Sequence, residues 1–495
     1  MPTPKEILAV KRPKNTFVVP YGKNRDRYAV RKYVGCRYDK GRRIPVKGPT
    51  VGHIRDGVYV PVEADAASKE PQVDLRDWAN AALCDRLFSP ILDELRQFYS
   101  PKEAETLYAI SVLRVCSPGV NDYELKERYE ESFLSELHPG VALSKNTVCR
   151  FHEAIGKTCS RIFGFMRSRA EKIGADAHVL LDGTLKSNES RVNSLSDFSR
   201  KAKTKGTRDI SVLYAFDLDK DEPVCSQCYP GNMLDVTSYT DFIEKCGVRR
   251  GVIVSDKGFP SSASEAYRAA NPDLHQLSPV KRNATLIRTH GMLDYEGVLP
   301  GREGVTYKKA RVNGGKKWLY SFRDAAQAAL EERAYLERAR RDGTFSQKDF
   351  AARQRSFGTI VLECDLDLDP AKVYRMYEER WQIEIVMRYY KSACEFDETR
   401  VHDDYSVIGS EFCDFLSTVL TFRLIKAFDA QGLLEKWNYS RLMSLLRRAK
   451  KVRVDDGGWR LIRVSPALEK ILASLELVPT PDKSPAAQGG APAGV

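Results

Sequence analysis

Three carboxylates stand out by type and setting. Asp182 closes the apolar run HVLLDGT at 178–184, and Asp256 closes another, GVIVSDKGF at 251–259. Glu384 lies in YEERWQIEIVMRYYK, Tyr377 to Lys391, among Arg380, Arg388 and Lys391. Two acids at strand ends, with a third on a cation-lined helix, make a ligand set for hard dications. Two such ions ~3.5–4 Å apart need carboxylates held on rigid elements, and they serve in-line phosphoryl transfer. Oxygen ligands suit two Mg²⁺, with Mn²⁺ as a substitute, and such a site needs no His or Cys cluster. The cations beside Glu384 would hold phosphates across the metals. Each Asp alone also reads as a turn or N-cap residue, and the helix alone as a ladder of i,i+4 salt bridges.

The elements that must position these acids are legible as patterns. Tyr377 to Lys391 contains neither Gly nor Pro and reads as a helix. Tyr377, Arg380, Glu384, Arg388 and Lys391 recur close to the 3.6-residue period and form one polar stripe. Met376, Ile383, Val386, Met387 and Tyr390 form an apolar face roughly 110° away. HVLLDGT and GVIVSDKGF read as buried strands, and ISVLYAFDL (210–218) as another. The last is reached through the basic connection SRKAKTKGTRD (199–209), whose Lys203, Lys205 and Arg208 are candidate phosphate contacts. PVCSQCYP reads as a strand pairing with 210–218, and its Cys225 and Cys228 read as structural rather than zinc-binding.

Composition sets the wider frame. The chain has 495 residues, a length for two to four domains, and its 11 cysteines are scattered as in a reduced cytosol. Mean hydropathy is −0.43, no apolar run suits a membrane span, and MPTPKEILAVKRPK does not read as a signal peptide. The net charge of +12 is concentrated at one end: residues 1–60 carry 15 Lys and Arg against four Asp and Glu. Tyr21, Tyr28, Tyr33, Tyr38 and Tyr59 are interleaved with those cations, which predicts a basic β module able to grip a phosphate backbone. Helical spacing follows over Leu75 to Tyr99, Pro101 to Val115, Asn121 to Leu137 and Lys145 to Ala170. LSKNTVCRFHEAIG, with Ser144 as a cap, reads equally as a recognition helix of a helix-turn-helix and as an ordinary packing helix. VIGSEFCDFLSTVLTFRLIKAF reads as a buried amphipathic helix, and PTPDKSPAAQGGAPAGV as a disordered tail.

DGT at 182–184, SDKGF at 255–259 and Y-x2-R-x3-E-x6-K over Tyr377, Arg380, Glu384 and Lys391 resemble the DDE transposases of bacterial insertion sequences. The subgroup is the one with a Tyr-Arg-Glu-Lys signature. The resemblance implies an RNase H-like catalytic core, with Asp182, Asp256 and Glu384 as the metal-binding triad and Tyr377, Arg380 and Lys391 on DNA. It implies double-stranded DNA partners, both the element's ends and its target, a homodimer holding two ends together, and a cytoplasmic, nucleoid-associated setting. It also implies an insertion before the last acid, here with strands at GVTYKKARV and KKWLYSF, a charged helix from Arg323 to Arg341, and a return strand GTIVLECDL. The expected fold class is α/β, divided into a basic β module at 1–63, a helical DNA-binding region at 72–172, and a core at 175–284 and 357–400. An insertion subdomain at 285–356, a C-terminal helical region at 401–478 and a tail at 479–495 complete it. A metal-dependent endonuclease without strand transfer, or a DNA-binding protein that no longer transposes, are the alternatives.

Overall fold

The computed structural model describes residues 3–22, 26–39, 42–62, 73–188, 190–199, 206–233, 235–255, 262–379, 396, 398–399, 401–455 and 457–478. The chain divides into two compact units: Met1–Asp74 with Arg453–Trp459, and Leu75–Val452 with Arg460–Val495.

In the first unit, strands β1 (Thr16–Tyr21), β2 (Arg27–Asp39), β3 (Arg42–Arg55) and β4 (Val58–Pro61) form an antiparallel sheet in that order. Its hydrophobic centre is small, with Ala29, Val30 and Ile54 buried, while Lys32, Tyr33 and Val34 are exposed. Asp56 and Gly57 join β3 to β4 with φ of 49° and 75°, the backbone a two-residue hairpin turn demands. Register shifts between Val30 and Gly35 interrupt the β2–β3 ladder, where bulges re-aim side chains.

The second unit is built on a ten-stranded mixed sheet. Its strands are β6 (His178–Ser187), β7 (Asp197–Phe198), β8 (Arg208–Asp217), β9 (Glu222–Pro230), β10 (Gly251–Val254) and β11 (Leu274–Pro279), then β12 (Gly297–Val298), β13 (Val305–Val312), β14 (Lys317–Asp324) and β15 (Thr359–Cys364). The order is β12-β13-β14-β15-β11-β10-β6-β8-β7, with β9 on β8. β10 runs parallel to both β6 and β11, whereas β8 is antiparallel to β6 and to β9. Val179, Leu180 and Leu181 on β6 are all buried, as are Val252, Ile253 and Val254 on β10, which is why both read as continuous apolar runs. Residues 297–324 extend this same sheet: β14 pairs with β15, and β15 with β11. Ile287, Met292, Val312, Leu319 and Val361 form a core cluster of that extension.

The Asp404–Ala430 helix packs on the Lys145–Lys157, Pro101–Cys116 and Ala79–Leu95 helices and on β9. The sequence suggests a buried amphipathic helix, and 18 of its 27 residues are buried, including the polar Glu411, Asp414, Ser417, Thr418 and Thr421. Burial of polar groups is tolerable because they are bonded: Ser417 Oγ, Thr418 Oγ1 and Thr421 Oγ1 donate to carbonyls four residues back. Two of its aromatic residues face the sheet, with Phe415 6.3 Å from Tyr214 and Phe422 5.0 Å from Phe216 between ring centroids.

Three expected helices differ in detail. Val73–Asp77 is a strand (β5), and the helix runs over Ala79–Leu95. The stretch expected from Asn121 to Leu137 divides into Leu125–Glu131 and Leu134–Leu137, because Ser132 is extended and bridges to Asp77. The stretch from Lys145 to Ala170 breaks at Thr158, whose hydroxyl donates to the carbonyls of Ala154 and Ile155. Ser144 leads into the Lys145–Lys157 helix, but its hydroxyl bonds Thr147 Oγ1 at 2.8 Å rather than a backbone amide.

Val148, His152, Ile155 and Gly156 of that helix are buried, packed on the start of Asp404–Ala430. A Cβ on Gly156 would lie 1.9 Å from Tyr405 O, and one on Gly409 would lie 2.0 Å from His152 O. Backbone meets backbone here, so no side chain can move aside. Gly156→Ala and Gly409→Ala are each expected to destabilise the unit by about 1–3 kcal/mol through overpacking. Urea unfolding of both variants checks this, and wild-type midpoints would show that the two helices part at no cost.

Candidate functional site

Asp182 sits on β6, half-buried, with Oδ1 accepting the Gly183 N–H at 2.9 Å. On β8 its register partner is Tyr214. The parallel ladder with β10 pairs Val252 with His178, Ile253 with Val179 and Val254 with Leu180. Asp182 is the second residue after Leu180, and Asp256 is the second after Val254 in sequence. Asp256 itself lies outside the described residues, as do Arg380, Glu384, Lys391, Lys203, Lys205 and the part of the expected 377–391 helix beyond Glu379. The 479–495 tail lies outside them too.

The helix leading towards Glu384 begins earlier than its polar stripe suggests. It spans Pro370–Glu378, capped by Asp369, whose Oδ1 accepts the N–H groups of Ala371 (2.8 Å) and Lys372 (3.2 Å). Val373, Tyr374 and Met376 are buried, and the Tyr374 ring lies 5.0 Å from Phe322 on β14. Tyr377 is half-buried on this helix. Glu378 pairs with Arg302 at 2.5 Å, and Glu379 reaches His178 Nδ1 at 3.5 Å, on the first residue of β6.

The chain after the signature region also meets β6. Glu398 forms a parallel bridge with Ser187, and Thr399 N donates to Ser187 O at 2.9 Å. Asn188 Nδ2 donates to the carbonyls of Thr399 (3.0 Å) and Val401 (3.3 Å), and Ser190 Oγ to that of His402 (2.8 Å). Glu379 and Glu398 thus meet opposite ends of the strand that carries Asp182. Arg208, at the start of β8, donates to Ser196 O at 2.9 Å and lies 4.9 Å over the exposed Phe198 ring.

A buried ionic network adjoins the site. Lys186 on β6 is fully buried, with Nζ 2.5 Å from Glu411 Oε1 and 2.8 Å from Asp414 Oδ2. Asp414 also receives Arg114 Nη1 at 2.6 Å, and Arg114 Nη2 reaches Asp122 Oδ1 at 3.2 Å. His152, fully buried, lies 3.4 Å from Asp122 Oδ2. Burial opposes the Lys186 ammonium, but Asp414 and Glu411 outweigh it and hold its pKa above the ordinary lysine value. The network forms part of the wall of a cavity of about 510 Å³, together with Lys145, Cys149, Glu398, His402 and Asp403. Sequence reasoning missed it. The available signal was an acid pair one turn apart, Glu411 and Asp414, inside an otherwise apolar helix, which demands buried partners.

Asp182 fits a hard dication by type, as an oxygen donor on a rigid strand with part of its surface open. Among the described residues, no three His, Cys, Asp or Glu side chains gather as a metal site.

Residues 174–406 match the family model described as Transposase DDE domain. Over that stretch the chain is similar to transposase catalytic domains. It is also similar to a solved structure, the cryo-EM piggyBac transposase synaptic complex with hairpin DNA. That likeness has a TM-score of 0.40 at 13% identity, covering 76% of this chain and 82% of that one. No curated relative matches the chain. Among the described residues, no helix is long and apolar enough to cross a membrane.

Proposed function

We propose that the chain is the transposase of a bacterial insertion sequence, which binds terminal inverted repeats, cleaves the ends and joins them to target DNA. The observation that carries this reading is the match over 174–406, which contains Asp182, Asp256 and Glu384 together. The β6–β10 register supports it, since both strands run in parallel towards an Asp at the same step beyond their last shared pair. The order β9-β8-β6-β10-β11, three antiparallel strands and then two parallel to β6, supports an RNase H-like core.

In this reading Asp182, Asp256 and Glu384 hold two Mg²⁺ or Mn²⁺. When bound, such ions activate a water or 3′-hydroxyl and steady the leaving oxygen of phosphoryl transfer. The chain's own part would be to hold these three carboxylates and to draw DNA phosphates in with Arg380 and Lys391. Tyr377 recurs with them on the 3.6-residue period of the sequence, and Lys203, Lys205 and Arg208 would offer further phosphate contacts before β8. Two protomers would hold two ends in the synaptic complex, in the nucleoid of the cytoplasm. Incubating the full chain with its element's own ends, with and without Mg²⁺, tests the reading. Cleavage with joining supports it, nicking without joining marks a metal-dependent endonuclease, and binding without cleavage marks a protein that no longer transposes.

The basic sheet of the first unit is assigned to phosphate contact. Deleting residues 1–62 removes 15 Lys and Arg. The deletion is expected to weaken end binding and to make log affinity fall less steeply with log salt, since fewer counterions are released. Filter binding across a salt series measures the slope, and an unchanged slope would remove DNA contact from this unit's role.

A further inference from the structure

Given the transposase reading above, on which this inference rests, we propose that Lys186 is a positioning residue for Asp182. Its buried ammonium, clamped between Glu411 and Asp414, fixes the metal-holding face of β6 against the segment that returns from Glu384. Asp182, Thr184 and Lys186 alternate along one face of β6. At about 3.3 Å rise per residue, Lys186 is roughly 13 Å from Asp182 along the strand, too far to touch a shared ligand. It acts through the strand.

The geometry gives that tie a direction. Glu411 Oε1, which takes Lys186 Nζ, also accepts Thr399 Oγ1 at 2.7 Å. Thr399 N donates to Ser187 O, the residue beside Lys186. The Lys186 ammonium lies 5.7 Å from the Phe396 ring, in the same returning segment. One buried cation therefore links the strand of the first acid, the Asp404–Ala430 helix and the chain just after the third acid. Stability alone does not call for this arrangement. An apolar side chain of similar volume packs a helix on a sheet at least as well as a buried ion pair, because charges must first be desolvated. Ions add a fixed register, and a carboxylate that holds a metal tolerates little displacement.

Mn²⁺ titrated into the full chain, with free ion read by electron paramagnetic resonance, tests this without a DNA substrate. Lys186→Met with Glu411→Gln removes one charge of each sign and leaves the balance unchanged. Thr399→Val deletes only the hydroxyl link and keeps the side-chain shape. Both variants are expected to keep wild-type melting temperatures. The double variant should weaken Mn²⁺ binding by about 10-fold, in the range found when outer partners of metal ligands are removed. Thr399→Val should weaken it by a smaller factor, and Lys186→Arg should bind more tightly than Lys186→Met. Asp182→Asn is the control and should lose Mn²⁺ sites. If Asp182→Asn loses binding while Thr399→Val and the folded double variant bind as wild type, the positioning role is wrong and the metal site stands. If Asp182→Asn binds Mn²⁺ unchanged, the site reading itself fails and takes the positioning role with it. Should the Lys186 variants not fold, Thr399→Val decides alone.

Discussion

Asp182→Asn, Asp256→Asn and Glu384→Gln are each expected to abolish Mg²⁺-dependent cleavage and joining while leaving binding to end DNA largely intact. Each substitution keeps the shape of the side chain and, on the proposed reading, removes one negative oxygen ligand from a dication site. The expected fall in single-turnover cleavage is about 10³-fold or more, equivalent to about 4 kcal/mol of barrier at 1.36 kcal/mol per decade. Binding should persist because the phosphate contacts assigned to Arg380, Lys391 and the basic first unit are untouched. Gel-shift and nicking assays on the same preparations separate the two effects. Near wild-type nicking by any one variant would take that residue out of the ligand set. Loss of end binding together with cleavage would instead point to an acid that supports the fold.

Much of the second unit's sheet was readable because its strands carry unbroken apolar runs. HVLL and GVIV have the continuous apolar character of strands buried on both faces, as in a covered parallel pair, and β6 and β10 form such a pair. The polar stripe over Tyr377 to Lys391 drew attention to the helix but not to its start. The start was nonetheless written in the sequence, as Asp369 before Pro370, a cap residue followed by a residue favoured at the first helical position. The breaks at Ser132 and Thr158 were not readable, because each depends on a particular local hydrogen bond or bridge. The extension of the sheet through 297–324 was not readable either, since strand pairing across a long insertion leaves no periodic trace. Least readable was the network around Lys186. Glu411 and Asp414 lie more than two hundred residues beyond it. A single sequence shows that buried acids need partners but not which cation supplies them.

Breaking that network at its other cation should have the largest effect on stability. Arg114 is buried on the Pro101–Cys116 helix. Its Nη1 donates to Ser410 O (3.0 Å) and Asp414 Oδ1 (2.6 Å), and its Nη2 to Ser410 Oγ (3.1 Å) and Asp122 Oδ1 (3.2 Å). Arg114→Met is expected to destabilise the protein by about 3–5 kcal/mol, because removing one partner strands buried carboxylates. That is a large share of the 5–15 kcal/mol that typically holds a domain folded, so the variant should unfold at much lower urea. Adding Asp122→Asn to Arg114→Met should recover part of the loss, a coupling that a double-mutant cycle measures. Burial pushes the Asp122 pKa up, but His152 and Arg114 outweigh it and hold the carboxyl well below the usual range. A depressed pKa contributes stability that is present above the unfolded value, near pH 4, and is lost as pH falls further. The gap between wild type and Arg114→Met should therefore narrow below about pH 4. A loss under about 1 kcal/mol at pH 7, with no coupling to Asp122, would place this guanidinium among ion pairs whose desolvation cancels their attraction.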